Sequence, residues 1–211
     1  MKISLVIPAY NEEKYMKECL VHIMAQQVRP DEIIVVDNNC TDKTVKIAKH
    51  FPVTIVKEPV QGMIAARNKG FNTATGDIIA RCDADTHLPP DWIKRVKDNF
   101  ETKKIDALTG PVEFYDLNVK AMPIINLYFD FIKPIFHNEV LSGPNMILTR
   151  SMWDKVKDDV CLNDAKVHED IDLSIHITAA HGTIVRDHDL IVYISARRIK
   201  KNPQSFFGEY P

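Results

Sequence analysis

Short continuous apolar runs alternate with helix-period segments through the first half of the chain. Ile3 to Pro8 ("ISLVIP") reads as a strand buried on both faces. Asn11 then stands where a helix cap belongs, with Glu12 and Glu13 in a first turn whose macrodipole favours carboxylates. Tyr15, Cys19, Leu20, Ile23 and Met24 follow on one helical face. Glu32 to Asp37 ("EIIVVD") is a second strand, and Thr41 or Asp42 is placed to cap a helix reaching about Phe51. Val53 to Val56 forms a third strand, Met63 to about Thr73 a helix, and "GDIIARCD" a fourth strand. Pro89 and Pro90 open a further helix over about Asp91 to Thr102. This order, β-α-β-α-β-α-β-α, predicts an α/β fold with a single, mostly parallel, doubly wound sheet.

Composition narrows the reading without choosing a chemistry. A chain of 211 residues, 45% hydrophobic, can bury a sizeable core. A net charge of −2 gives no electrostatic case for nucleic acid. Four cysteines without C-x-x-C spacing indicate neither a zinc knuckle nor a disulfide framework, so reduced cytosolic thiols are expected. The first apolar run is too short for a signal peptide, and no run of about 18 apolar residues exists to span a bilayer. A cytoplasmic protein is expected, with contact at the cytoplasmic membrane surface left open.

Ligands of doubly wound sheets sit at the carboxyl ends of the strands. Pro8 to Asn11 follow the first strand, Asp37 to Asn39 the second, and Asp83 and Asp85 the fourth, so three polar loops are expected on one edge. Neither G-x-G-x-x-G after the first strand nor G-x-x-x-x-G-K-[ST] anywhere supplies a phosphate cradle. A diphosphate bound here needs another neutraliser, and a magnesium-like cation held by Asp85 would provide it. The Asp-x-Asp pattern alone is weak. It occurs three times (Asp83/Asp85, Asp170/Asp172, Asp187/Asp189), and chance supplies about two such triplets in a chain this rich in aspartate.

"VIPAYNEE", "EIIVVDNNCTDKT", "AARNKGFNTATGDIIARCDADT" and "HEDIDLS", in that order, resemble the inverting family 2 glycosyltransferases of GT-A fold. The resemblance covers most of residues 1 to 195. It implies transfer of a sugar, of hexosyl type, from a nucleotide diphosphate sugar to a saccharide or lipid-linked acceptor, through a hydroxyl or a lipid phosphate, with Mn²⁺ or Mg²⁺ as cofactor. Carried onto this sequence, it places Pro8, Ala9, Tyr10 and Glu12 around the nucleoside, with Asp37 at the base and Arg67 helping to hold the nucleotide. Asp83 meets the ribose or sugar, and Asp85 the metal. Gly143, Pro144, Asn145 and Glu169 face the acceptor or donor sugar, and Asp170 takes the general-base position. Read without the resemblance, Tyr10 could cover a sheet edge, Asp37 could cap the following helix, Arg67 could form a surface ion pair, and the acids at 169–172 could simply favour a helix N-terminus.

A nucleotide-sugar half of about 1–112 and an acceptor half of about 113–211 are expected within one domain. In the second half Gly143 and Pro144 make a turn before a strand over Asn145 to Leu148, Gly182 fits a helix C-cap, and "TIVRD" and "LIVYIS" are closing strands. The tail "SARRIKKNPQ" lacks the Q-x-x-R-W motif of processive relatives. Its Arg197, Arg198, Lys200 and Lys201 could meet a diphosphate or anionic acceptor, or form a solvated or membrane-facing patch. Ala121 to Phe136 is apolar and aromatic, and core packing, an acceptor-side lid and membrane-surface contact stay open for it. No motif selects His181 or His188 as a further metal ligand. Two other functions fit the first half: a sugar-nucleotide-binding protein without transferase activity, which would leave Asp170 idle, and a nucleotidyltransferase, which usually needs a glycine-rich loop that "PAYNEEK" lacks.

Overall fold

Alternation within the first apolar run decides where the core lies. In β1 (Ile3–Ala9) the side chains of Ile3, Leu5 and Ile7 join one hydrophobic cluster and Val6 joins another, on opposite faces of the strand. β2 (Glu32–Asp37) divides in the same way, Ile33 and Val35 against Ile34 and Val36. The computed structural model describes residues 1–117, 139–197 and 200. Ala121 to Phe136, Arg198 and Lys201 therefore lie outside the described residues.

One sheet of seven strands runs in the order β3 (Thr54–Lys57), β2, β1, β4 (Ile78–Arg81), β7 (Met146–Thr149), β5 (Ala107–Thr109), β8 (Ile184–Arg186). β1 to β4 are mutually parallel, β7 is antiparallel to both neighbours, and β5 pairs in parallel with β8. β6 (Val112–Phe114) and β9 (Val192–Ile194) form a separate parallel pair, joined to the β4 loop by a bridge between His87 and Tyr193. The expected mostly parallel, doubly wound sheet is present, with this two-stranded ribbon beside it.

Helices cover both faces. α1 (Met16–Met24) and α4 (Trp92–Thr102) bring Leu20, Ile23, Trp92, Ile93 and Val96 onto the Leu5 face. The Val6 face receives Phe71 from α3 (Met63–Thr73), Trp153 from α5 (Arg150–Val156) and Leu173 and Ile177 from α6 (Glu169–Ala179). Each of these fully buried aliphatic side chains contributes about 1.5–3 kcal/mol through transfer from water. α2 (Thr44–Ala48) is shorter than the expected helix to Phe51.

Two expected caps are corrected. Asn11 does not cap α1. That helix starts at Met16, and Asn11 adopts a left-handed backbone (φ 55°) while its side-chain oxygen accepts from Thr41 N at 2.8 Å, pinning the neighbouring loop. At the end of α6 the left-handed residue is His181 (φ 60°), not Gly182. Gly182 N donates to Ile177 O (2.8 Å) and His181 N to Thr178 O (2.9 Å), the two bonds of a Schellman motif. A side chain at 182 would stand 2.7 Å from Ile177 Cγ2 and 3.0 Å from the Ile177 carbonyl oxygen, so glycine lets the chain turn closely against the end of the helix.

Candidate active site

β1 lies between β2 and β4, so the direction of winding reverses at β1 and β4, and doubly wound sheets open a crevice at such a point. A cavity of about 430 Å³ occupies it, walled by Pro8 and Ala9 at the end of β1 and Tyr10 and Glu12 after it, by Arg81 at the end of β4 and Asp83 and Asp85 after it, and by Pro144 and Arg197. A second cavity, of about 490 Å³, lies at the opposite ends of β2 and β3 around Arg29, Pro30, Phe51 and Pro52, away from the three polar loops. Asp37 ends β2 in register with Ala9, on the same edge as Asp83 and Asp85. Its carboxylate accepts from Cys40 N at 2.8 Å, while the next residue, Asn38, reaches the cavity wall. Asn38 also fastens the loop after β3: its amide donates to Glu58 O and Val60 O, and its oxygen accepts from Gly62 N.

A buried chain of charges runs behind the cavity. Arg81, 2% exposed at the end of β4, meets Asp83 (Nη2 to Oδ1, 2.9 Å) and one oxygen of Glu169. The other Glu169 oxygen lies 3.1 Å from Nη1 of Arg67, which is fully buried in α3. Arg67 Nε and Nη2 also donate to Asn68, and its guanidinium lies over the Trp153 ring. Burial alone would lower the pKa of Arg81, but the charges of Glu169 and Asp83 outweigh it and hold the guanidinium above its ordinary value. Arg67, expected to help hold a nucleotide, is therefore committed to the framework.

Asp85, 7% exposed, faces the cavity with Oδ2 at 3.2 Å from Arg197 Nε. Arg197 grips both oxygens of Glu12 with its other two nitrogens and lies 4.4 Å over the Tyr15 ring.

α6 starts with Glu169, Asp170 and Asp172 in its first turn, all favoured there by the macrodipole. The three carboxylates part company beyond that. Glu169 joins the buried chain, and Asp172 accepts from Cys161 N at 3.0 Å. Asp170 accepts from Ile171 N (2.9 Å) and from Gly143 N (3.1 Å). Desolvation first, then the charge of Glu169, pushes the Asp170 carboxyl up to about 6, against those two hydrogen bonds and the charge of Arg81. A side chain at Gly143 would stand 3.2 Å from Glu169 Oε1 and 3.5 Å from Arg81 Nη2, so glycine lets this turn close on the charged pair.

Asn145, expected beside a sugar, is fully buried and shared among framework partners. It accepts from Trp92 Nε1 at 3.2 Å and donates to Leu190 O at 2.6 Å. Of the three Asp-x-Asp triplets, only Asp83/Asp85 lines the cavity. Asp187 holds Asn99 and Asp189 N in the turn before β9. His181 lies at the far end of α6, about 16 Å along the axis from Asp170 at 1.5 Å per residue. Among the described residues no group of three or more His, Cys, Asp and Glu side chains is gathered to hold a metal. Asp85 offers one carboxylate in the cavity, which suits a magnesium-like cation that takes its remaining ligands from phosphate and water. Arg81, and the wall residues Gln61, Met63 and Phe114, were not singled out by sequence reasoning. A charged residue inside the apolar run "IIARC" was the available signal for Arg81.

The sequence profile of "Glycosyl transferase family 2" matches residues 4–158. The uncharacterized glycosyltransferase YwdF of Bacillus subtilis (strain 168) is 30% identical over 186 residues, 85% of this chain and 68% of that protein. The chain spans only 17% and 40% of the length of two further curated relatives that it matches. Among solved structures, S. aureus TarS 1-349 in complex with UDP-GlcNAc superimposes with a TM-score of 0.74 at 21% identity, over 93% of this chain and 59% of that one. The mannosyltransferase PcManGT from Pyrobaculum calidifontis, in complex with GDP-Man and Mn²⁺, gives 0.72 at 18% identity, over 100% of this chain and 66% of that one.

Proposed function

The chain belongs to glycosyl transferase family 2, and from that premise we propose that it moves a hexose from a nucleotide diphosphate sugar to an acceptor hydroxyl or a lipid phosphate, inverting the anomeric carbon. One observation carries the reading: the turn Gly143–Pro144 joins the two acidic centres. Pro144 walls the cavity that holds Asp85, and the N–H of Gly143 donates to Asp170.

In this reading Pro8, Ala9, Tyr10 and Glu12 line the nucleoside side, with Tyr10, 52% exposed, available to lie against a base. Asp83 is held toward the ribose or sugar by Arg81. A divalent cation, Mn²⁺ or Mg²⁺, would bind Asp85 and supply positive charge to the departing diphosphate. An acceptor hydroxyl is a weak nucleophile at neutral pH, and Asp170 takes its proton as it attacks the anomeric carbon from the face opposite the diphosphate. A pKa of about 6 leaves Asp170 ionised at pH 7 to 8 yet closer to the working pH than an ordinary aspartate, as a general base requires. Glu169 and Arg81 act on Asp170 through charge and through Gly143, and are positioning residues. An acceptor phosphate is already an anion and makes no call on Asp170.

Thermal unfolding with UDP, GDP and their sugars, with and without Mn²⁺, tests the proposal, because a ligand of the native state raises the midpoint by mass action. Stabilisation by at least one diphosphate nucleotide, enhanced by Mn²⁺ in wild type and not in Asp85→Ala, is expected. A midpoint unmoved by every nucleotide would remove the reading.

A further inference from the structure

Arg197 reaches the cavity from the last described turn of the chain, and its surroundings fix it there. Ser195 Oγ and Ala196 N both donate to the carboxylate of Asp116, at 3.0 and 2.7 Å, so the backbone on the N-terminal side of Arg197 is tied down. From that anchor the guanidinium bridges two acids from different strands' loops, Glu12 after β1 and Asp85 after β4, and covers Tyr15. Every edge of the planar fork is used, the geometry in which an arginine loses least freedom per bond formed. The carboxylate that it holds is the one that the proposed function gives to a divalent cation.

We propose that Arg197 is the resident cation of the Asp85 site: its guanidinium occupies the carboxylate until a divalent cation and a nucleoside diphosphate arrive together and displace it. The inference rests on the nucleotide-sugar reading, which gives Asp85 its divalent cation and supplies the second ligand.

Electrostatics and arithmetic both lead there. Glu12 and Asp85 bring two negative charges, and Arg197 returns one positive charge. A bare divalent cation on the same Asp85 oxygen would sit within a few ångströms of that positive charge, in a partly desolvated cavity where like charges repel more strongly than in water. The cation therefore binds poorly on its own. A diphosphate changes the balance, because it supplies oxygens to the cation and to the released guanidinium, whose fork matches phosphate. Cation and nucleotide then bind cooperatively, and the protein spends its unliganded time without an exposed metal site. If the conformer with Arg197 withdrawn is populated at roughly a tenth, removing Arg197 tightens cation binding by roughly tenfold.

The test is calorimetric titration of Mn²⁺ alone, without nucleotide, into wild type, Arg197→Gln and the double variant Arg197→Gln/Asp85→Asn. Arg197→Gln is expected to bind Mn²⁺ at least tenfold more tightly than wild type, and the double variant is expected to lose that gain. Equal or weaker binding by Arg197→Gln would overturn the proposal, as would a gain that survives in the double variant. Should Arg197→Gln fail to fold, Mg²⁺ titrated into ¹⁵N-labelled wild type with a nucleoside diphosphate decides. The Arg197 Nε–H resonance is expected to shift with cation saturation, and a resonance that stays in place overturns the proposal. Tighter Mn²⁺ binding by Arg197→Gln in a protein that binds no nucleotide would support the cation exchange while removing the transferase reading, so the two can fail separately.

Discussion

Glu169 and Arg67 form a buried ion pair 3.1 Å long across 102 residues of sequence. The same glutamate holds Arg81, and Arg81 holds Asp83, so the helix that carries Asp170 and the loop that carries Asp85 share one charged support. Removing one member of a buried pair leaves the other uncompensated, which costs far more than the pair's net worth. Glu169→Gln keeps the shape and leaves Asp83 as the remaining carboxylate in direct ion-pair contact with either buried guanidinium among the described residues. A loss of about 3–5 kcal/mol is expected in urea unfolding, with a midpoint drop on the order of 6–20 °C for a chain of this size. A loss below about 1 kcal/mol would show that the pair is solvated.

The pH dependence of stability isolates Asp170. Its native pKa of about 6 lies above the ordinary 3.8. Below pH 4 the group is neutral in both states and contributes nothing. Between about 4 and 6 the native state still holds a proton that the unfolded chain has released, so native stability falls as pH rises, and above 6 the loss is complete. The full shift corresponds to about 3 kcal/mol at 1.36 kcal/mol per unit, and the partial exposure of the side chain trims that to about 1–2 kcal/mol. Asp170→Asn mimics the neutral form. It is expected to exceed wild type in stability at pH 8 and to match it at pH 4. Urea midpoints at the two pH values check this, and a gain of equal size at pH 4 would contradict it.

Asn145 separates a framework residue from a ligand contact. Asn145→Ala strands the buried Trp92 Nε1 donor and the Leu190 carbonyl, at about 1–3 kcal/mol for each unsatisfied group. Destabilisation of at least about 2 kcal/mol is expected, with nucleotide affinity unchanged in the folded fraction. Calorimetry showing lost nucleotide binding in a protein of wild-type stability would return Asn145 to the ligand side.

Local rules made much of this legible. Burial on both faces marks β1 and β2 in the sequence, helix period and the breaks around it mark α3, and the reversal of winding after β1 places Asp37, Asp83 and Asp85 on one edge. What the sequence could not show depends on partners far along the chain. Arg67 reads as a nucleotide contact, with a surface ion pair as the alternative, until Glu169 is seen beside it. Arg197 sits in a basic tail that reads as a diphosphate or acceptor contact or as a solvated patch, and only the fold brings it to Glu12 and Asp85, more than a hundred residues earlier. Asn11 and Gly182 were misread for a different reason. Asn11 adopts the left-handed backbone conformation while bonding a neighbouring loop, and at the end of α6 His181 takes that conformation in place of Gly182, whose missing side chain leaves room for Ile177.

The central claim is that Asp170 performs proton transfer and does more than end a helix. Single-turnover transfer from a saturating nucleotide sugar to a hydroxyl acceptor, with water as the default acceptor, tests it most directly in wild type and Asp170→Asn. Asn preserves shape but cannot take the proton, and a positioned general base contributes about 10²–10⁴-fold. Donor binding is expected to be unchanged while release of the nucleoside diphosphate slows by about two orders of magnitude or more. Release by Asp170→Asn at the wild-type rate, with donor binding intact, would contradict the account.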